Sequence, residues 1–290
     1  MLDLLCSLSL LGVLAVLSVS YAAHVARFGA QRSKRVEQAG SSALLGKAPM
    51  DLAYWLLGPL VRVCLSLGVT ANAVTWGSLV LGAAAGVLLA MGHFGIAVAA
   101  ATASSLADAL DGAVARASRT SSDAGEVLDA AVDRYVELFF LGGLVFYYRN
   151  TPILLVLALL AMGGSFMVSY STAKAEALHV TPPRGAMRRA ERAVYLTLGA
   201  GLVPVASALV LRLGVSTPAS LGAPWSSLGD APILLALGLV GVLSNASAAR
   251  RLRAIAAAVR ARDSVPLASS EPIASANEEP HATATSHATR

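Results

Sequence analysis

Four aspartates carry the chemistry that this sequence offers. Asp108 and Asp111 stand three residues apart, and Asp129 and Asp133 four apart. On helices, both spacings place the carboxylates of a pair on one face. The connection between the pairs is short, so the helices that carry them are antiparallel neighbours and all four carboxylates converge at one depth. An isolated aspartate within a membrane costs about 3 kcal/mol on insertion scales, and four that repel one another cost more. A divalent cation is the simplest compensation. An all-oxygen ligand set favours Mg2+ or Mn2+, and four carboxylates on two helices suit a pair of ions. Such a pair can bridge a diphosphate, neutralise charge on a leaving group and orient an attacking oxygen. Gly112, Ala115 and Gly125 share this face. Glycine within a helix is unfavourable by about 1 kcal/mol relative to alanine. These small residues therefore serve either the close approach of a ligand or helix–helix packing.

The elements that must hold these residues are built for lipid. Of 290 residues, 56% are hydrophobic and 13% charged, against about 25% charged in an ordinary soluble domain. Ala, Gly and Ser are abundant, as expected where membrane helices pack closely. The reading is an all-α polytopic membrane protein with a six-helix transmembrane core, an extra N-terminal anchor helix and an amphipathic interfacial helix. A span needs roughly 20 apolar residues. Residues 2–22 form the anchor, followed by Arg27, Arg32, Lys34 and Arg35. A basic cluster after the apolar run, rather than before it, marks an uncleaved anchor with its C-terminal end in the cytoplasm. Residues 50–67, with Trp55 and Arg62 among apolar neighbours, suit a helix lying at the interface. The six core spans are predicted at 74–91, 94–115, 123–148, 151–178, 190–211 and 231–249. Thr70 or Asn72 can cap the first, and Asp123 with Glu126 can form a capping box on the third. Arg149 and Arg212 are the only basic residues in the loops on one side, while Arg116, Arg119, Lys174, Arg188, Arg189, Arg192, Arg250, Arg251 and Arg253 crowd the other. That side is read as cytoplasmic. The two cysteines, Cys6 and Cys64, match no metal or disulfide pattern. The chain divides into an anchor and linker at 1–46, a domain at 47–262 that carries the aspartates, and a tail at 263–290 expected to be disordered.

The run from Asp108 to Asp133 resembles the signature of the CDP-alcohol phosphotransferases. That signature is Asp-x-x-Asp-Gly-x-x-Ala-Arg, eight residues, then Gly-x-x-x-Asp-x-x-x-Asp. Asp108, Asp111, Gly112, Ala115, Arg116, Gly125, Asp129 and Asp133 fill every fixed position. Residues 68–75 are similar to the segment that opens the family's first core helix. The resemblance implies that an acceptor hydroxyl attacks the β-phosphate of a CDP-linked lipid, CMP leaves, and a phosphodiester forms. It also implies metal binding by Asp108, Asp111, Asp129 and Asp133, with Asp133 as the candidate general base. Gly112, Ala115 and Gly125 would leave room for the CDP moiety, and Arg116 would either hold phosphate or brace the carboxylates. A homodimer of the bacterial inner membrane, with the site facing the cytoplasm, is implied as well. The partners expected are CDP-diacylglycerol, a small alcohol and membrane lipid, with no nucleic acid.

Two further segments resemble bacterial phosphatidylinositol-phosphate synthases. They contribute Ser169, Tyr170, Ala173, Ala175 and Glu176, then Arg189, Glu191 and Arg192, with Arg251 on the last helix. Lys174, Arg189, Arg192 and Arg251 would surround the phosphate of an acceptor such as inositol phosphate, because arginine forks bind phosphate in a bidentate way. The sequence departs from that pattern at Thr172, where the family has lysine, and at Arg188 and Ala190. Glycerol phosphate, serine or free inositol are the alternative acceptors. A proton- or metal-coupled transporter would also use intramembrane carboxylates, but would spread them along a path across the bilayer. A non-catalytic family member would not retain the complete signature.

Overall fold

The computed structural model describes residues 1–28, 48–181, 183, 185, 187–214 and 228–264. The predicted tail beyond residue 264 and most of the linker after the anchor lie outside these residues. The described residues form helices without strands: α1 (Leu2–Phe28), α2 (Ala48–Ser66), α3 (Ala71–Ala90), α4 (Phe94–Ala117), α5 (Asp123–Tyr147), α6 (Pro152–Ala177), α7 (Arg189–Arg212) and α8 (Ala231–Asp263). A single 3-10 turn, Leu228–Asp230, leads into α8.

Six helices close into a bundle. Passing around it, α3 packs on α5, α5 on α6, α6 on α8, α8 on α7, α7 on α4, and α4 returns to α3. The buried core is concentrated at one end. Leu89, Phe94, Ala97, Leu141, Leu144, Ala158, Ile233 and Leu237 fill the half of the bundle where α3 turns into α4 and α5 into α6. The opposite half contains the acidic residues and is open. Close approach in the dry half depends on small residues. A Cβ on Gly143 would fall on the carbonyl oxygen of Gly86, so α3 and α5 touch backbone to backbone there.

Local signals explain several boundaries. Thr70 caps α3 by accepting from the Ala73 amide at 3.3 Å. Ser122 caps α5 by accepting from the Gly125 amide at 3.1 Å, so Asp123 is the first helical residue rather than the cap. The last helix corrects the sequence reading. It runs 33 residues, to Asp263, because Arg250 to Arg262 are good helix formers that continue the helix beyond its apolar run. Six described helices are long and apolar enough to cross a membrane, namely α1, α3, α4, α6, α7 and the segment ending in α8. Helix α5 has 25 residues, about 37 Å at 1.5 Å per residue, but carries Asp133, Arg134 and Glu137 in its interior.

The anchor is docked on the bundle at both ends. Helix α1 lies against α4 and α7, and near its C-terminal end the Tyr21 and His24 rings stand 6.0 and 5.8 Å from Trp55 of α2. At its start, Asp3 performs a task that α4 cannot perform for itself. His93, at the N-cap position of α4, makes no side-chain cap bond. Asp3 Oδ1 instead accepts from the amides of Gly95 at 2.9 Å and Ile96 at 3.2 Å, and its Oδ2 lies 3.2 Å from His93 Nδ1. Two amides without intrahelical partners are thereby satisfied. Loss of such a cap costs about 1 kcal/mol. Asp3→Ala is expected to lower the unfolding temperature of the detergent-purified protein, and Asp3→Asn, which retains an acceptor, to stay close to the parent.

Candidate active site

Helices α4 and α5 are joined by a turn of five residues, with Arg119 in the left-handed region at φ 57°. The turn brings the end of α4, with Asp108 and Asp111, beside the start of α5, with Asp129 and Asp133. One carboxylate oxygen from each of Asp108, Asp129 and Asp133 lies within 4.8 Å of the others. Asp111 is adjacent but differently engaged. It is buried, and its Oδ2 accepts a 2.6 Å hydrogen bond from the Thr75 hydroxyl on α3. The aspartates predicted to act together thus divide into a cluster of three and one carboxylate fixed from the neighbouring helix.

Arg189, the first residue of α7, enters the cluster. Its Nη1 and Nη2 donate to Asp108 at 3.3 and 3.2 Å, and Nη2 is also in direct contact with Asp133 Oδ1. The guanidinium offsets part of the repulsion among the carboxylates. The residues fit a divalent cation. Each of the three carboxylates offers an oxygen close to the other two, and an all-oxygen donor set suits Mg2+ or Mn2+. Asp108, Asp129 and Asp133, with Asp111 beside them, would hold the ion or ions.

The cluster opens on a cleft of about 950 Å3, whose wall includes Thr70, Asn72, Asp108, Asp111, Gly112, Ala115, Arg116, Gly125 and Asp129. This bears on the two readings left open for the small residues. A Cβ added to Gly125 would meet only the Ser122 hydroxyl, and one on Gly112 only the flexible Arg116 side chain. Neither glycine is packed against another helix, and both face the cleft.

The basic residues expected around an acceptor separate into three situations. Arg189 stands in the cluster. Arg251 donates to Thr172 Oγ1 at 3.0 Å, and Lys174 is exposed on the last turn of α6. Neither lines the cleft. Arg192 is 1% exposed and fully engaged. Its Nε and Nη2 donate to the Glu137 carboxylate at 2.8 and 3.1 Å, and its Nη1 donates to the Met187 carbonyl at 3.0 Å. Removing one partner of such a buried pair costs about 3–5 kcal/mol. Thr75 and Glu137 are the residues that sequence reasoning passed over. Glu137 had a legible signal, since Asp129, Asp133 and Glu137 repeat every four residues on α5. Thr75 had none beyond its place in the segment that opens α3.

A sequence model of the CDP-alcohol phosphatidyltransferase family matches residues 68–218, just over half of the chain. The chain belongs to the CDP-alcohol phosphatidyltransferase family. It is therefore a membrane-embedded transferase, and its acidic cluster lies within the matched region. Solved structures of phosphatidylinositol phosphate synthase from Mycobacterium tuberculosis share the fold and 26% of the sequence. The structure with CDP-DAG bound gives a TM-score of 0.56, covering 69% of this chain and 92% of that one. The complex with manganese and citrate gives 0.57, covering 69% and 88%. A search of curated proteins by sequence returned no match.

Groups that orient metal-binding carboxylates typically contribute 10–100-fold to metal affinity or activity. Thr75→Val is expected to lower family activity by about 10-fold or more, while Thr75→Ser, which keeps the hydroxyl, retains most of it. Initial rates across a Mg2+ and Mn2+ titration measure the difference.

Proposed function

We propose that the chain transfers a phosphatidyl group from CDP-diacylglycerol to the hydroxyl of a small alcohol, releasing CMP. The single observation that carries this reading is the carboxylate cluster opening directly into a cleft walled by glycine and alanine. At about 950 Å3, that cleft is at the upper end of the range of small-molecule sites. Family membership and the likeness to a synthase structure described with CDP-DAG bound support the same donor.

In this reading the cytidine diphosphate lies along Gly112, Ala115 and Gly125, whose small side chains leave the cleft wall open. Arg116, on the cleft wall, meets the diphosphate. Asp108, Asp111, Asp129 and Asp133 would hold two divalent ions, Mg2+ or Mn2+, which would supply charge neutralisation at the diphosphate and the departing CMP. Asp133 accepts the proton of the acceptor hydroxyl. The alcohol oxygen bonds to the β-phosphorus, the bond from that phosphorus to the bridging oxygen breaks, and CMP leaves with the electron pair. Asp133 suits the base role because it is buried at the inner end of the cluster, where water competes least for its oxygens.

The acceptor proposed is a phosphorylated polyol, inositol phosphate. Arg189 supports this choice, because its planar fork lies beside Asp133, where an incoming hydroxyl would have its phosphate within reach. Arg251 and Lys174 supply further positive charge on the same side of the membrane. Arg192 is assigned a supporting role, since it is buried and each of its nitrogens already donates to Glu137 or the Met187 carbonyl. The abundance of arginine on that side supports a site that faces the cytoplasm.

Purified protein supplied with radiolabelled CDP-diacylglycerol, Mn2+ and inositol phosphate is expected to release CMP and form a labelled phospholipid. Parallel reactions with glycerol phosphate, serine and free inositol test the acceptor. A general base typically contributes 10²–10⁴-fold, so Asp133→Asn is expected to lose at least about 100-fold in CMP release. Chelation of divalent ions is expected to abolish the reaction, and re-addition of Mg2+ or Mn2+ to restore it. CMP release that survives chelation would overturn the proposed chemistry, and faster turnover with a different alcohol would reassign the acceptor.

A further inference from the structure

Two carboxylates on α5 face two guanidiniums at the start of α7. Asp133 and Glu137 are one turn apart, and so are Arg189 and Arg192. Asp133 meets Arg189, and Glu137 meets Arg192, as two successive rungs. A cavity of about 70 Å3 lies beside them, lined by Asp133, Glu137 and Arg189 together with Ala193 and Leu196. At this level α5 and α7 are therefore joined by long side chains across a gap rather than by close packing.

The outer rung serves the inner one. Each of the three nitrogens of the Arg192 guanidinium donates a hydrogen bond: two to Glu137 and one to the Met187 carbonyl. Met187 is fully buried with φ at 64°, a left-handed conformation that a bulky residue adopts only when its surroundings hold it there. The chain on both sides of Arg189 is thus fixed by one side chain, and that side chain is fixed by Glu137. The Arg188 amide, which donates to Glu191 Oε2 at 2.9 Å, completes the first turn of α7. The carboxylates attract the Arg189 guanidinium, and the position of this turn brings it within their reach.

We propose that Glu137 is a positioning residue: by gripping Arg192 it sets the first turn of α7, seats Arg189 among the carboxylates, and so sets the affinity of that cluster for divalent cations. This rests on the reading of Asp108, Asp129 and Asp133 as a divalent-ion site. A guanidinium held on Asp108 and Asp133 competes with an ion for the same oxygens. Loss of the clamp therefore strengthens ion binding, whereas mere structural damage would weaken it. The sign of the effect separates the two.

The test is Mn2+ binding to the purified full chain in detergent, followed by electron paramagnetic resonance without any lipid substrate. Arg189→Ala is expected to bind Mn2+ about ten-fold more tightly than the parent. The double variant Glu137→Leu with Arg192→Met replaces both members of the buried pair by apolar residues, a change that folded proteins commonly tolerate. It is expected to show the same tightening, and adding Arg189→Ala to it is expected to contribute nothing more. Should the double variant fail to fold by circular dichroism, Arg192→Lys takes its place, because it keeps the charge and loses the fork. Unchanged or weaker Mn2+ binding in the folded clamp variant, with Arg189→Ala tightened, would overturn the positioning role alone. Parent protein that binds no Mn2+ would overturn the metal reading and this proposal with it.

Discussion

Mutual repulsion among carboxylates in a poorly solvated place is the constraint from which the rest of the structure follows. Asp108, Asp129 and Asp133 are held within ion-sharing distance, and Asp111 is buried beside them. Such a group persists only if positive charge and donated hydrogen bonds accompany it. Each neighbouring helix contributes one of these. Helix α3 supplies the Thr75 hydroxyl, α7 supplies the Arg189 guanidinium, and the four-residue spacing on α5 keeps Asp129 and Asp133 aimed inward. Family membership gives this arrangement its meaning. A transferase that handles diphosphate needs concentrated negative charge to recruit divalent ions, and the fold must tolerate that charge between turnovers.

The bundle separates the two demands in space. Its apolar core fills one half, where Leu89, Leu141, Leu144 and Leu237 are sealed from solvent and glycines allow α3 to touch α5. The other half leaves room for substrate. Stability is thereby supplied at a distance from the charged residues, and the cleft can stay open without loss of the bundle. Helix α5 belongs to both halves. Its last turns end in the core at Leu141 and Leu144, and its first turns carry Asp129 and Asp133. This dual role explains why α5 is long enough to span a bilayer but too charged to be recognised by hydropathy alone.

The parts of this arrangement that were legible in the sequence are those governed by local spacing. The three- and four-residue intervals between aspartates specify a shared helix face. The apolar runs locate α3, α4, α6 and α7 to within a few residues. What stayed hidden depends on pairs far apart in the chain. Thr75 meets Asp111 across 36 positions and Arg192 meets Glu137 across 55, and no periodicity reports either contact. Arg189 and Arg192 illustrate the difficulty. They are alike in type, one turn apart, and both sit among basic residues. One stands in the carboxylate cluster and the other is locked in the protein interior, and only the position of α5 decides between them. The length of α8 was hidden for another reason. A hydropathy pattern reports where lipid ends, and a helix need not end there.

The Asp3 contact has a consequence for biogenesis. The first turn of α4 is completed by a residue 92 positions upstream, on a helix that lies outside the six-helix bundle. The first turn of α4 therefore reaches its final bonding only once α1 has docked against it, whatever order the helices enter the bilayer. Completion of one helix is in this way tied to the arrival of another that is distant in the chain.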